Sequence, residues 1–141
     1  MQRHNNQLAL YRVKAVQGYS YHLCAIKMET IEITGLNEYQ QRALETAVYP
    51  ADKKIIYPTL GLTGEAGEVA DKVKKVIRDN GQQFDEDHRN AIALEISDVL
   101  WYVAVLANDL GYTLQNIAEM NYAKLKSRQE RGKIGGSGDN R

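Results

Sequence analysis

Two pairs of acidic residues, each with a spacing of three positions, are the residues of this chain best suited to chemistry. Glu65 and Glu68 lie in the segment GLTGEAGEVADKVKK, and Glu95 and Asp98 are the only charged residues within 91–107. Residues three positions apart share one face of a helix. Because burying an unpartnered carboxylate costs several kcal/mol, the second pair is expected to meet cations.

Two helices that each offer a carboxylate pair can form an oxygen-rich site for a hard cation. A set of four carboxylates without imidazole favours Mg²⁺, with Mn²⁺ as a substitute, over zinc, iron or copper. The predicted metal ligands are therefore Glu65, Glu68, Glu95 and Asp98.

The same acids allow two other interpretations. Glu65 and Glu68 alone would read as surface charges paired with Lys72 or Lys75, but the apolar helix around the second pair offers no solvated face. A ferritin-like di-iron bundle needs Glu-x-x-His on two helices, and no histidine of this chain has that spacing. The metal site is the favoured interpretation.

A carboxylate that a metal does not fully engage can orient or deprotonate an attacking water. Glu65 is the first candidate for this catalytic role, and Glu68 is the second. Lys124 and Arg128, one turn apart, can neutralise phosphate, although cations also commonly complement the dipole at a helix C-terminus.

The elements that must position these residues are helical. Apolar periodicity and breakers predict helices over about 34–49, 59–78, 88–110 and 113–131. The predicted N-caps are Asn37 for the first helix, with Gln40 in its third position, Asp85 or Asp87 for the third, and Thr113 for the fourth.

The predicted fold class is an all-α, four-helix bundle. The third helix is apolar on every side, so part of it is expected to pack against another subunit. On this helix Trp101 and Tyr102 follow the acids by one turn, and core packing is favoured over stacking on a base. The predicted domains are an extension over 1–30, which is a β-hairpin or irregular, the helical domain over 31–131, and a Gly-rich tail over 132–141.

Composition limits the partners and the compartment. The 141 residues carry no net charge, which gives no support for nucleic-acid binding. Cys24 is the single cysteine, no uninterrupted apolar run reaches the ~18 residues of a membrane span, and no signal-peptide pattern is present. We therefore expect a cytoplasmic protein without a membrane partner.

The segments GLTGEAGEVADKVKK, ALEISDVLWYVAVLANDLG and NYAKLKSRQERGKIGGSGDNR resemble the MazG-like all-α nucleoside triphosphate pyrophosphohydrolases, over about 36–141. The resemblance implies a helical fold, Mg²⁺ dependence, a homodimer or homotetramer, and hydrolysis of NTPs or dNTPs to monophosphate and pyrophosphate in nucleotide-pool housecleaning. It implies the same four metal acids and assigns Asn121 and Lys124 to substrate contact.

Three alternatives remain beside this reading. The first is a non-catalytic helical oligomerisation or adaptor module. The second and third are enzymes of the same superfamily with narrower specificity, a dUTP or dCTP pyrophosphatase and a phosphoribosyl-ATP pyrophosphohydrolase.

Overall fold

The computed structural model describes residues 31–135, and these residues form four α-helices without a strand. The helices belong to one compact unit that begins at Glu32. The predicted all-α class is confirmed, while the extension over 1–30 and the end of the tail lie outside the described residues. The helices are α1 (Leu36–Glu45), α2 (Ile56–Asp79), α3 (Glu86–Asp109) and α4 (Leu114–Glu130).

Local capping signals fix most helix ends where the sequence predicts them. The Asp85 side chain accepts the backbone N–H of His88 at 3.0 Å and caps α3. Thr113 and Asn116 form a reciprocal capping box at the start of α4. Gly111 follows α3 with φ of 81°, a left-handed conformation that glycine adopts without steric cost.

The predicted boundaries of the first two helices were less accurate. α1 ends at Glu45 rather than near 49, because the Thr46 hydroxyl donates to the Ala43 carbonyl at 2.9 Å and competes with the helical ladder. α2 begins at Ile56, three residues before the predicted start, and includes Pro58 in its first turn, where a missing N–H costs no helical hydrogen bond.

The entry to α2 is a strained γ-turn. Ile55 has φ of 66° and ψ of −50°, and the N–H of Ile56 donates to the Lys54 carbonyl at 2.7 Å. A β-branched residue rarely adopts a positive φ. The Asp109 carboxylate holds the turn by accepting the Ile55 N–H at 3.0 Å and the Tyr49 hydroxyl at 2.7 Å.

The predicted capping role of Asn37 in α1 is wrong. α1 starts at Leu36, after Gly35, without a side-chain cap. Asn37 instead accepts the N–H of Gln115 at 3.1 Å, and Gln40 accepts the N–H of Leu114 at 3.0 Å. Both side chains therefore cap α4, because the fold brings the start of that helix against α1.

α2 and α3 form the main helix pair and run antiparallel, since Gly61 meets Tyr102 while Lys72 meets Glu95. The core lies between α1, α3 and the start of α4. Its buried members are Ala43, Ala104, Val105 and Leu114.

α3 is the one helix of residues 31–135 that is long and apolar enough, by length and composition, to cross a membrane. Its most apolar window has a mean hydropathy of 1.5 and is 17% buried. Glu95 and Asp98 lie near its centre, where a carboxylate costs about 2.5–3.5 kcal/mol in a bilayer.

Gln40 should contribute strongly to stability, because it is 3% exposed and its amide also donates to the carbonyls of Ala104 and Tyr112. Gln40→Met keeps the volume but leaves buried backbone groups unpaired, so the free energy of unfolding should fall by about 2–3 kcal/mol. Urea denaturation measures the change, with the exposed neighbour Gln41→Met as control. Equal stability of the two variants would contradict the role given to Gln40.

Candidate metal centre

Three of the four predicted metal acids converge between α2 and α3. Glu65, Glu95 and Asp98 each offer a carboxylate oxygen, and these oxygens all lie within 4.8 Å of one another. Glu65 and Glu95 are half-buried, whereas Asp98 is exposed. The i,i+3 spacing places Glu95 and Asp98 on one face of α3, and the antiparallel packing of α2 brings Glu65 to the same level.

Glu68 lies one turn further along α2, exposed and outside this group of three. It still contributes electrostatically, because its charge is among the causes that raise the pKa of Glu65. Its assignment as a metal ligand or as the base stays a prediction.

The grouped carboxylates repel one another. Partial burial raises the pKa of Glu65 above its ordinary value, and the charges of Asp98, Glu95 and Glu68 raise it further. Both causes disfavour the ionised form, so the cluster favours a proton or a metal cation.

Lys72 supplies one positive charge to the cluster. Its ammonium Nζ lies 3.3 Å from Oε1 of Glu95. The sequence suggested pairing of Lys72 with Glu65 or Glu68 of its own helix, whereas this salt bridge joins Lys72 to α3. Lys74 and Lys75 both pair with Asp71 instead, away from the three grouped acids.

The donor set fits a hard divalent cation. Among the described residues the group contains carboxylates alone, and His88 pairs with Asp85 at the start of α3. Mg²⁺ takes six oxygens at about 2.1 Å and usually keeps waters, so three carboxylates leave positions for water and phosphate.

Two tyrosines border the acids. The pKa of Tyr39 is raised by burial and then by the charge of Asp98. The pKa of Tyr102 is raised by burial, by Tyr57, and then by Glu65 and Asp98. Sequence reasoning missed Tyr39 as a neighbour of the site, because its helical spacing showed only that it lies on the inner face of α1.

Trp101 lies in the core rather than in the site. Its indole N–H contacts the Ala43 carbonyl at 3.2 Å and the Thr46 hydroxyl at 2.8 Å, which joins α3 to α1. The core-packing interpretation of this residue agrees with these contacts.

The predicted substrate residues lie on α4. Asn121 and Lys124 belong to the stretch 118–127, in which every residue is exposed. Arg128 is 6% exposed and therefore lies inside the fold rather than on an open surface. The substrate contacts assigned to all three residues stay predictions.

An open hollow of about 480 Å³ lies between the start of α1 and α3. Tyr39 lines the hollow, and the charge of Asp98 acts on its hydroxyl. The lining is mostly apolar and consists of Ile33, Thr34, Gly35, Leu36, Tyr39 and Leu100.

An all-α bundle with an acidic cluster between two antiparallel helices defines the class of this protein, and comparison with known proteins gives the family. Residues 58–132 match the model of the MazG nucleotide pyrophosphohydrolase domain. The Gene 37 protein of Mycobacterium phage L5 is 46% identical over 109 residues, which cover 73% of this chain and 96% of that protein. No solved structure matches significantly.

The chain therefore belongs to the MazG nucleotide pyrophosphohydrolase family. The match contains both acidic pairs, since residues 58–132 include α3 and most of α2. Family membership and the acidic cluster together support a divalent metal as cofactor.

The pKa of Glu65, raised by burial and by the neighbouring charges, predicts a pH-dependent effect of Glu65→Gln on the stability of the metal-free protein. Because the pKa of Glu65 is higher in the folded protein than its ordinary value of 4.5, a proton on Glu65 stabilises the folded state of the wild type. This stabilisation is fully present below pH 4.5 and is lost as the pH rises through the raised pKa. In EDTA, the variant should melt above the wild type near pH 7, and the difference should shrink towards pH 4.

Thermal melts across this pH range measure the difference. Glu119→Gln, at an exposed position on α4, is the control and should show no such trend. A Glu65→Gln difference that does not vary with pH would contradict the electrostatic coupling.

Proposed function

We propose that this protein hydrolyses nucleoside triphosphates, NTPs or dNTPs, to the monophosphate and pyrophosphate with Mg²⁺ as cofactor. The observation that carries the proposal is the convergence of Glu65, Glu95 and Asp98 between α2 and α3. The family supports nucleotide pyrophosphohydrolysis as the reaction class. Housecleaning of the nucleotide pool is the role we propose for it.

The reaction breaks the bond between the α- and β-phosphates. When bound, Mg²⁺ would polarise phosphate oxygens and reduce the repulsion of the attacking water. Glu95 and Asp98, which share one face of α3, would hold the metal. Glu65 has a raised pKa and accepts the proton of the water at a carboxylate oxygen, with Glu68 as the alternative base.

Cations at the edge of the site stabilise the departing pyrophosphate. Lys72 lies beside Glu95, so its ammonium is available to phosphate once a metal neutralises that carboxylate. Lys124, Asn121 and Arg128 on α4 are proposed as further substrate contacts, as the family resemblance and the basic helix end suggest.

The hollow between the start of α1 and α3 is our proposed place for the base or sugar. Its volume of about 480 Å³ is in the range of small-molecule sites, and Tyr39 offers an aromatic surface next to the acids. A nucleotide whose phosphates reach the carboxylates would therefore meet an apolar lining at its other end.

Glu95→Gln tests the reaction most directly. Removing the charge from this half-buried ligand should lower pyrophosphate release by about 100-fold or more, because metal sites are sensitive even to changes in residues that orient the ligands. Each NTP and dNTP is incubated with the protein and Mg²⁺, pyrophosphate is measured, and circular dichroism confirms that the helices persist.

Asp71→Asn is the matched control, because Asp71 lies on α2 but pairs with Lys74 and Lys75 outside the cluster. It should retain release close to that of the wild type. Near-normal release by Glu95→Gln would refute its assignment. No release by the wild type with any nucleotide would favour the adaptor alternative, and release from one nucleotide would favour the narrower enzymes.

We also propose that the protein is a homodimer or homotetramer. On α3, Leu94 and Ile96 are 57% and 52% exposed, and the apolar Met120 and Leu125 of α4 are exposed as well. A second copy can cover these side chains, whereas the helices of one described chain leave them in water.

Leu94→Glu should dissociate this assembly, because a carboxylate in an apolar interface loses its hydration without a partner. Size-exclusion chromatography with light scattering measures the mass. Val48→Glu, at a 92% exposed position outside the helices, is the control and should leave the mass unchanged. A wild type that is monomeric at all concentrations would contradict the proposal.

A further inference from the structure

The ring of Tyr102 lies directly on the backbone of α2 at Gly61. A Cβ atom placed on Gly61 would lie 2.1 Å from Cε1 and 2.2 Å from Cζ of this ring, so any side chain there would displace it. The same construction at Gly64 and Gly67 of α2 meets nothing within 4 Å. The space that a side chain at position 61 would occupy is therefore filled by the Tyr102 ring.

This contact lies one turn from the carboxylates. Gly61 precedes Glu65 by four positions on α2, and Tyr102 follows Asp98 by four on α3. Because the two helices are antiparallel, the Tyr102 ring and the acids lie at adjacent levels of the interface between α2 and α3. A glycine inside a helix lowers stability by about 1 kcal/mol relative to alanine. Glycine is nevertheless suited to position 61, because α3 approaches so closely that an alanine methyl group would clash with the Tyr102 ring.

Neighbouring aromatic residues limit the movement of the Tyr102 ring. Trp101 meets it edge-on, with the ring centroids 4.9 Å apart and the planes at 89°. The Tyr102 hydroxyl lies close enough to Tyr57 for this residue to raise its pKa, and Tyr57 stacks on Tyr49 with ring centroids 5.1 Å apart. Asp109 in turn anchors Tyr49 and the γ-turn that begins α2.

We propose that Tyr102, packed on Gly61, is a positioning residue that sets the separation of α2 and α3 at the carboxylates and so holds Glu65 within reach of Glu95 and Asp98. The inference rests on the metal-dependent function proposed for this site. A cation with oxygen ligands at about 2.1 Å tolerates little change in the distance between helices that each supply ligands.

Gly61→Ala tests the contact. The added methyl group must push the ring away, so Mn²⁺ affinity, measured by calorimetry without nucleotide, should weaken by about 10-fold or more. Gly64→Ala makes the same chemical change one turn away in open space and should bind Mn²⁺ like the wild type. Circular dichroism and thermal melts in EDTA show whether each variant is folded.

Variants of Tyr102 separate ring packing from the hydroxyl contact and keep the test valid if Gly61→Ala fails to fold. Tyr102→Phe retains the ring and should bind Mn²⁺ within about 2-fold of the wild type, whereas Tyr102→Ala should weaken binding. In the Tyr102→Ala background, Gly61→Ala should add little further loss, because contacting residues couple in a double-mutant cycle.

The outcomes distinguish this inference from the function on which it rests. Wild-type affinity in Gly61→Ala, or in Tyr102→Ala, would overturn the positioning role alone. Equal losses in Gly61→Ala and Gly64→Ala would also overturn it, because the effect would then be general to α2. Absence of Mn²⁺ binding by the wild type would overturn the proposed metal site, and this inference with it.

Discussion

Repulsion among three carboxylates within 4.8 Å of one another is the constraint on which the rest of this structure depends. Glu65, Glu95 and Asp98 would separate if they lay on mobile loops, and their placement on two long helices prevents this. Burial raises the pKa of Glu65, and the charges of the neighbouring acids raise it further because of this proximity. Lys72 offsets part of the charge, and a divalent cation would offset more.

Two contacts near the start of α2 and the end of α3 hold these helices together. Asp109 binds Tyr49 and the γ-turn at Ile55, which fixes the start of α2 against the end of α3. Next to the acids, the Tyr102 ring fills the space that Gly61 leaves. A rigid frame of this kind lets the repelling groups persist, because separating them would also break packing and hydrogen bonds.

The apolar surface of α3 relates the candidate metal site to the proposed homo-oligomer. Its mean hydropathy of 1.5 suits a helix that is surrounded on all sides, yet the described chain buries only 17% of that window. The carboxylates therefore lie on an element whose apolar surface still lacks partners. This links the proposed homo-oligomer to the proposed site, since a second copy would exclude water from the helix that carries Glu95 and Asp98.

Local features were predictable from the sequence because they depend on a few neighbouring residues. The caps at Asp85 and Thr113, the stop at Gly111 and the shared face of Glu95 and Asp98 all follow from helix geometry and side-chain chemistry. The all-α class followed from the same patterns, and the family resemblance was confirmed by the matched domain.

Tertiary structure alone decided the contacts between distant parts of the chain. It made Asn37 a cap for α4, placed Tyr39 beside Asp98, and brought Glu65 but not Glu68 into the group of three. The sequence specifies which residues share a face of one helix. The rotation and separation of two packed helices depend on how all their side chains fit together, and a local pattern does not contain that information.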